Sequence, residues 1–109
     1  MFLPMTKSGG GTAQPSQFVA KSLPYNTNTV VFELDGEIEE GYIVGSSYTY
    51  NITNSLSFAY KIENNVVSYL YANDGSSYWS CFISDNKLYI RQTDIRTTHN
   101  FYIALSIIK

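Results

Sequence analysis

The stretch Leu56–Gln92, "LSFAYKIENNVVSYLYANDGSSYWSCFISDNKLYIRQ", decides the fold. Its opening alternates strictly, with Leu56, Phe58, Tyr60 and Ile62 on one parity and Ser57, Ala59 and Lys61 on the other. A period of two is the pattern of a strand that buries one face. Asn64-Asn65 interrupts the run and Val66–Ala72 resumes it. Asn73-Asp74-Gly75 interrupts again before Tyr78–Ser84, where Trp79, Cys81 and Ile83 oppose Tyr78, Ser80 and Phe82. Asp85-Asn86 then leads into Lys87–Thr93, with Leu88 and Ile90 inside. Asn, Asp and Gly accept the positive φ that tight hairpin turns require. Short strands at this spacing predict an all-β sandwich or barrel.

The same reading extends in both directions. Thr29–Leu34 puts Val30, Phe32 and Leu34 on one face, and Asp35-Gly36 predicts a hairpin return through Glu37–Val44. There Ile38, Tyr42 and Val44 share the inner face, with Gly41 as a bulge that resets the parity. Tyr48–Thr53 adds a strand with Tyr50 and Ile52 inward. The longer link "TDIRTTHN" precedes the last strand, where Phe101, Ile103, Leu105 and Ile107 share a face. Facing within Val66–Ala72 stays open between Tyr69/Tyr71 and Leu70. With 109 residues, ten Tyr, six Phe and no helical period, the chain reads as one domain. The expectation is a single antiparallel β-sandwich or small barrel of about eight short strands over residues 28–109. An extended arm over residues 1–27 precedes it. Short turns favour a meander, with the long last link as the place where the chain crosses between sheets.

Charge and cysteine content exclude several chemistries. A net charge of −2 without a basic stripe speaks against nucleic acid as a partner. The apolar start of "MFLPMTKSGGG" is broken by Pro4 and is too short for a membrane span or a signal peptide, so synthesis and folding in a cytoplasm are expected. One His and one Cys cannot furnish a structural zinc site, and no metal or cofactor is expected. Cys81 falls on the Trp79/Ile83 parity as a buried, inert thiol. His99, in the polar link, reads as exposed or merely hydrogen-bonded, with no nucleophile elbow to serve. A non-enzymatic protein follows. Glu33, Asp35, Glu37, Glu39 and Glu40 gather on one predicted hairpin, where charge guards an edge against aggregation. Lys87, Arg91, Arg96 and Lys109 gather toward the other end. The two groups are either separate solvated faces or complementary surfaces of adjacent copies.

Two features carry partner-binding expectations. Tyr78, Phe82, Tyr89 and Arg91 fall on the outer parity of neighbouring strands, as an aromatic strip for a host surface glycan or a partner protein, or as cross-strand pairs that only stabilise the sheet. The arm "TKSGGGTAQPSQ" is a flexible tether with apolar groups on both sides. Phe2, Leu3, Met5 and Phe18 are therefore the residues expected to clip onto a neighbouring subunit.

The Gly-rich arm segment "SGGGTAQP" and the Tyr/Asn-rich strands "SYTYNITNSLSFAYKI" and "VVSYLYANDGSSYWSCFI" resemble the accessory structural proteins of tailed bacteriophage particles. These are capsid decoration proteins, baseplate or collar components and short fibre modules. The resemblance implies a virion structural protein made in the host cytoplasm, bound through its arm to other virion proteins and to copies of itself. The alternative is a carbohydrate- or receptor-binding module that uses the aromatic strip.

Overall fold

The computed structural model describes residues 6–7, 11–12, 16–47, 56–94, 96 and 98–109. Thr6–Lys7 (β1) and Gly11–Thr12 (β2) pair as a minimal antiparallel ladder. Then follow β3 (Gln17–Leu23), β4 (Thr29–Glu33), β5 (Glu40–Ser47), β6 (Ser57–Glu63) and β7 (Val66–Ala72). The last three are β8 (Trp79–Ser84), β9 (Lys87–Gln92) and β10 (His99–Ile107). Besides the small β1-β2 ladder there are two antiparallel sheets, one of five strands in the order β3-β10-β5-β6-β7 and one of three in the order β4-β9-β8. The protein is all-β, and one 3₁₀ turn over Ser76–Tyr78 is the single helical element among the described residues.

Two hairpins form where the sequence places them. Asn64-Asn65 and Asp85-Asn86 all adopt positive φ, between 51° and 65°, which is the two-residue turn that matches strand twist. Asp35-Gly36 does something else. β4 pairs with β9, not with β5, and Leu34 N–H extends that ladder by donating to Asn86 O at 2.8 Å. The chain then crosses to the five-stranded sheet, where Asn65 captures Ile38: the Asn65 side chain accepts from Ile38 N–H at 3.1 Å and Asn65 N–H donates to Ile38 O at 2.7 Å. Ile38 is buried and plugs that end of the sandwich. The expected meander holds for β5-β6-β7 and β8-β9, and the β9–β10 link does cross between sheets.

The inner faces meet on an aromatic cluster. Trp79 of the small sheet lies 4.5 Å from Phe58 and 5.4 Å from Phe101 of the large one, centroid to centroid. Leu56, Phe58, Tyr60, Ile62, Leu88, Ile90, Phe101, Ile103 and Leu105 are buried as their alternation predicts. β5 faces the opposite way from the expectation: Ile43 is buried, while Tyr42 and Val44 are exposed. No bulge occurs at Gly41, which pairs regularly with Ile62. Instead Gly41 and Gly45 take inward positions, because the Phe58 ring occupies the place where a Cβ of Gly45 would sit. Bulges do occur at Val31 in β4 and at Leu70 in β7. The second settles the open facing, with Tyr69 paired to inward Tyr60 and Tyr71 paired to outward Ala59.

β3 is the other departure. Residues 17–23, assigned to the arm, pair along β10 from Gln17 to Leu23, so the large sheet begins at Gln17 and not near Asn28. Their alternation is blurred because Lys21 holds an inward parity and Phe18 an outward one, while Leu23 is fully buried. Gln92 locks this end. Its buried side chain donates to Leu23 O at 3.2 Å and accepts from Asp94 N–H at 3.0 Å, and its backbone O accepts from Asn26 N–H at 2.8 Å. The expected strand Tyr48–Thr53 and the clip residues Phe2, Leu3 and Met5 lie outside the described residues.

Candidate functional site

The register of the five-stranded sheet assembles a feature that no single segment contains. Ala104 of β10 pairs with Phe18 of β3 on one side and with Val44 of β5 on the other. Val44 pairs with Ala59 of β6, which pairs with Tyr71 of β7. The outcome is one continuous apolar row across all five strands, Phe18–Ala104–Val44–Ala59–Tyr71, on the face turned away from the core. Phe18 is 67% exposed, Val44 49% and Tyr71 53%. Tyr102, 44% exposed, stacks on Phe18 at 5.7 Å and 22°. Together with Val44, Gly45, Ser46 and Ala104 these two rings line a shallow depression of about 240 Å³.

Charge is sparse beside the row, although Glu40, Lys61 and Glu63 share its outward parity on β5 and β6. The residues flanking the row on β10, β5 and β6 are Tyr102 and Ser106, Tyr42 and Ser46, and Ser57 and Lys61. Lys61 is the charged member of that set; it is the cross-strand partner of Tyr42 and lies 3.6 Å from Glu63. A contiguous apolar surface of this kind marks an interaction site far more often than scattered exposed residues do. Sequence reading missed it for two reasons. Parity with Ile38 points Tyr42 and Val44 inward, and the row exists only once non-consecutive strands are in register.

The outer face of the three-stranded sheet holds the expected aromatic strip in a different state. Phe82 and Tyr89 are direct cross-strand partners and their rings stack at 4.9 Å and 10°. Both are half-buried, and each covers a face of the other. Val30 pairs with Tyr89 on the far side, Arg91 pairs with Ser80, and Lys87 stands opposite Glu33. Tyr78 is exposed but belongs to the 3₁₀ turn before β8, outside the strand ladder. Of the clip residues, Phe18 is the one described, and it stands on the sheet's outer face.

The charged groups interleave. Lys87 is opposite Glu33, and Lys109 shares a polar notch with Glu39, Glu40 and Glu63. Two of the four basic residues, Lys87 and Lys109, thus stand beside members of the acidic cluster within one molecule, while Arg91 pairs with Ser80 and Arg96 lies over the Tyr25 ring.

The remaining titratable groups of note lie in or beside the core. Burial pushes the Cys81 thiol far above its ordinary range, which disfavours the nucleophilic thiolate. Burial, with Cys81, Tyr69 and Asp74 adding to it, also raises the Tyr60 phenol. His99 is buried and not exposed: it stands edge-on to Phe101 at 5.5 Å, and burial lowers its pKa. Its Nε2 has no hydrogen-bond partner among the described residues. The link residues around it are polar, but β10 starts at His99 itself, and pairing with Leu23 carries its ring inside. Asp94 is held above the usual carboxylate range, first by its side-chain hydrogen bond with Asp74, then by burial and the Asp74 charge. Asp74 in turn accepts from Trp79 Nε1 at 2.7 Å. Among the described residues no three His, Cys, Asp or Glu side chains gather to hold a metal ion, and no helix is long and apolar enough to cross a membrane.

No protein family, curated protein or solved structure matches this chain.

Proposed function

We propose that this chain is a non-catalytic assembly protein, a β-sandwich that buries the outer face of its five-stranded sheet against another protein surface. The observation that carries this reading is the uncharged apolar row from Phe18 to Tyr71. An exposed apolar row with few charges beside it has little to deter association. One covered by a partner loses that liability. The virion setting is proposed from the resemblance of the arm and the Tyr/Asn-rich strands to phage accessory proteins, with the segment before β3 as a second attachment element. The glycan reading is less favoured, because Phe82 and Tyr89 stack on each other and leave less ring face for a sugar.

A photo-reactive phenylalanine analogue placed at Tyr102, with one at Phe82 as the control, tests the reading in producing cells. A discrete covalent adduct from position 102, identified by mass spectrometry, and none from position 82 is the expected outcome. Equal labelling from both positions, or none from position 102, sinks it.

A further inference from the structure

On this reading of the outer face, we infer that the surface it meets is a second copy of the same chain, packed sheet to sheet about a two-fold axis that lies along the Phe18–Tyr71 row. The pattern on either side of the row motivates this. On β10 the row residue Ala104 lies between Tyr102 and Ser106; on β5 Val44 lies between Tyr42 and Ser46. An axis along the row carries each residue to the mirror position on the same strand of the partner. Tyr102 then stands over the partner's Ser106 and Tyr42 over the partner's Ser46, so these two rings each meet a small residue, while Phe18 and Tyr71 at the ends of the row meet their own counterparts. The central positions, Ala104, Val44 and Ala59, meet their own counterparts, and small groups there let the two sheets approach. Such a pairing is isologous, and its requirement is that one surface complement itself.

Electrostatics favours the same occupant. A surface that packs against itself must not oppose like charges, and the row and its aromatic flanks carry none. Lys61 maps onto the partner's Ser57 rather than onto another lysine, by the same symmetry. The footprint bounds the area of contact. Four inter-strand steps of about 4.8 Å and four residue steps of about 3.4 Å span roughly 19 by 14 Å before side chains widen it. That gives on the order of 300–400 Å² from each copy, below the roughly 1,200 Å² total of stable complexes. The pair is therefore weak and concentration-dependent, not obligate. Its sheets align within about 30°, as in other face-to-face packings.

Sedimentation equilibrium of the full chain from roughly 10 μM to 1 mM, the window that a footprint of this size calls for, tests the inference. The mass should climb from one chain toward two across that range. Val44→Lys should hold it at one chain throughout, since it sets two lysines against each other on the axis, while Phe82→Ser on the opposite sheet should leave the climb unchanged. Circular dichroism and urea unfolding of Val44→Lys confirm that the variant is folded. A single-chain mass at every concentration, or a dimer indifferent to Val44→Lys, overturns the inference. The cross-link at position 102 separates this failure from that of the functional reading. A hetero-adduct in cells from a chain that stays monomeric refutes the second copy and keeps the docking face. A single-chain mass together with no adduct refutes both.

Discussion

The sandwich carries an aromatic pair on each outer face, and the two pairs are built differently. Phe82 and Tyr89 are direct partners across β8 and β9, stacked within 10° of parallel and half-buried. Phe18 and Tyr102 are diagonal neighbours across β3 and β10, and both remain exposed. The surroundings differ as well. Lys87, Arg91 and Glu33 ring the first pair, whereas the second stands at one end of a five-residue apolar row without charge. Cross-strand rings that cover each other and are fenced by charge serve the sheet itself. Rings left exposed beside an apolar row offer more of their surface to a partner than a half-buried stacked pair does. The difference separates a structural pair from a docking pair.

The largest expected effect tests whether the outer row is surface at all. Phe58→Ala removes a buried ring from the centre of the core and should cost about 3–5 kcal/mol in urea unfolding. Phe18→Ala, measured at concentrations where the chain is monomeric, should cost less than about 1 kcal/mol, as for other exposed sites. Comparable losses for the two would show that Phe18 is part of a core, and the comparison would collapse.

A middle-sized effect comes from titration, which should report the interior and not either outer face. Burial lowers the pKa of His99, so the folded state disfavours its protonated form. The unfolded chain then binds more protons as pH falls below about 6.5, and stability declines with acidification. His99→Gln should flatten that decline in urea midpoints measured across the same pH range. Asp94 has the opposite sign: its raised pKa favours the protonated folded state, and its contribution is lost as pH rises above the ordinary carboxylate range. If stability between pH 5 and 7 is as steep in His99→Gln as in the parent, the buried placement of the ring is wrong.

The smallest effects sharpen the contrast itself. A double-mutant cycle on Phe82 and Tyr89 should return a coupling of about 0.5–1.5 kcal/mol, as for stacked aromatic pairs. The same cycle on Phe18 and Tyr102 should return only a few tenths of a kcal/mol, because both rings stay hydrated. Equal coupling on the two faces would remove the distinction between them.

Much of the architecture was legible because its signals are local. Strict alternation in Leu56–Ile62 and Phe101–Ile107 reports which residues face inward, and Asn64-Asn65 and Asp85-Asn86 announce their turns through backbone preference alone. Legibility fails where one residue changes the parity. Val31 and Leu70 are bulges in runs of β-branched, aromatic and aliphatic residues, where an extra residue leaves no compositional mark. β5 misleads for a related reason. Its inward positions include Gly41 and Gly45, kept small by Phe58 and the β10 backbone, so the apolar residues left to read on that strand include outward ones. Asp35-Gly36 carries a local turn signal that was overruled, because burying Ile38 and extending the β4-β9 ladder need the chain to leave its sheet there.

By itself, the sequence determined the class of the fold: period-two patterning, turn chemistry and a strand-forming composition act through neighbouring residues and need no partner strand. Only the tertiary structure decided which strands lie side by side, and with them the candidate site. β10 inserts between β3 and β5, and the five residues of the apolar row come from five strands spanning residues 18 to 104. Long-range pairing is chosen by burial of the opposite, inner face, where Phe58, Trp79 and Phe101 must meet. The outer row is aligned as a consequence of that packing, and so no local pattern announces it.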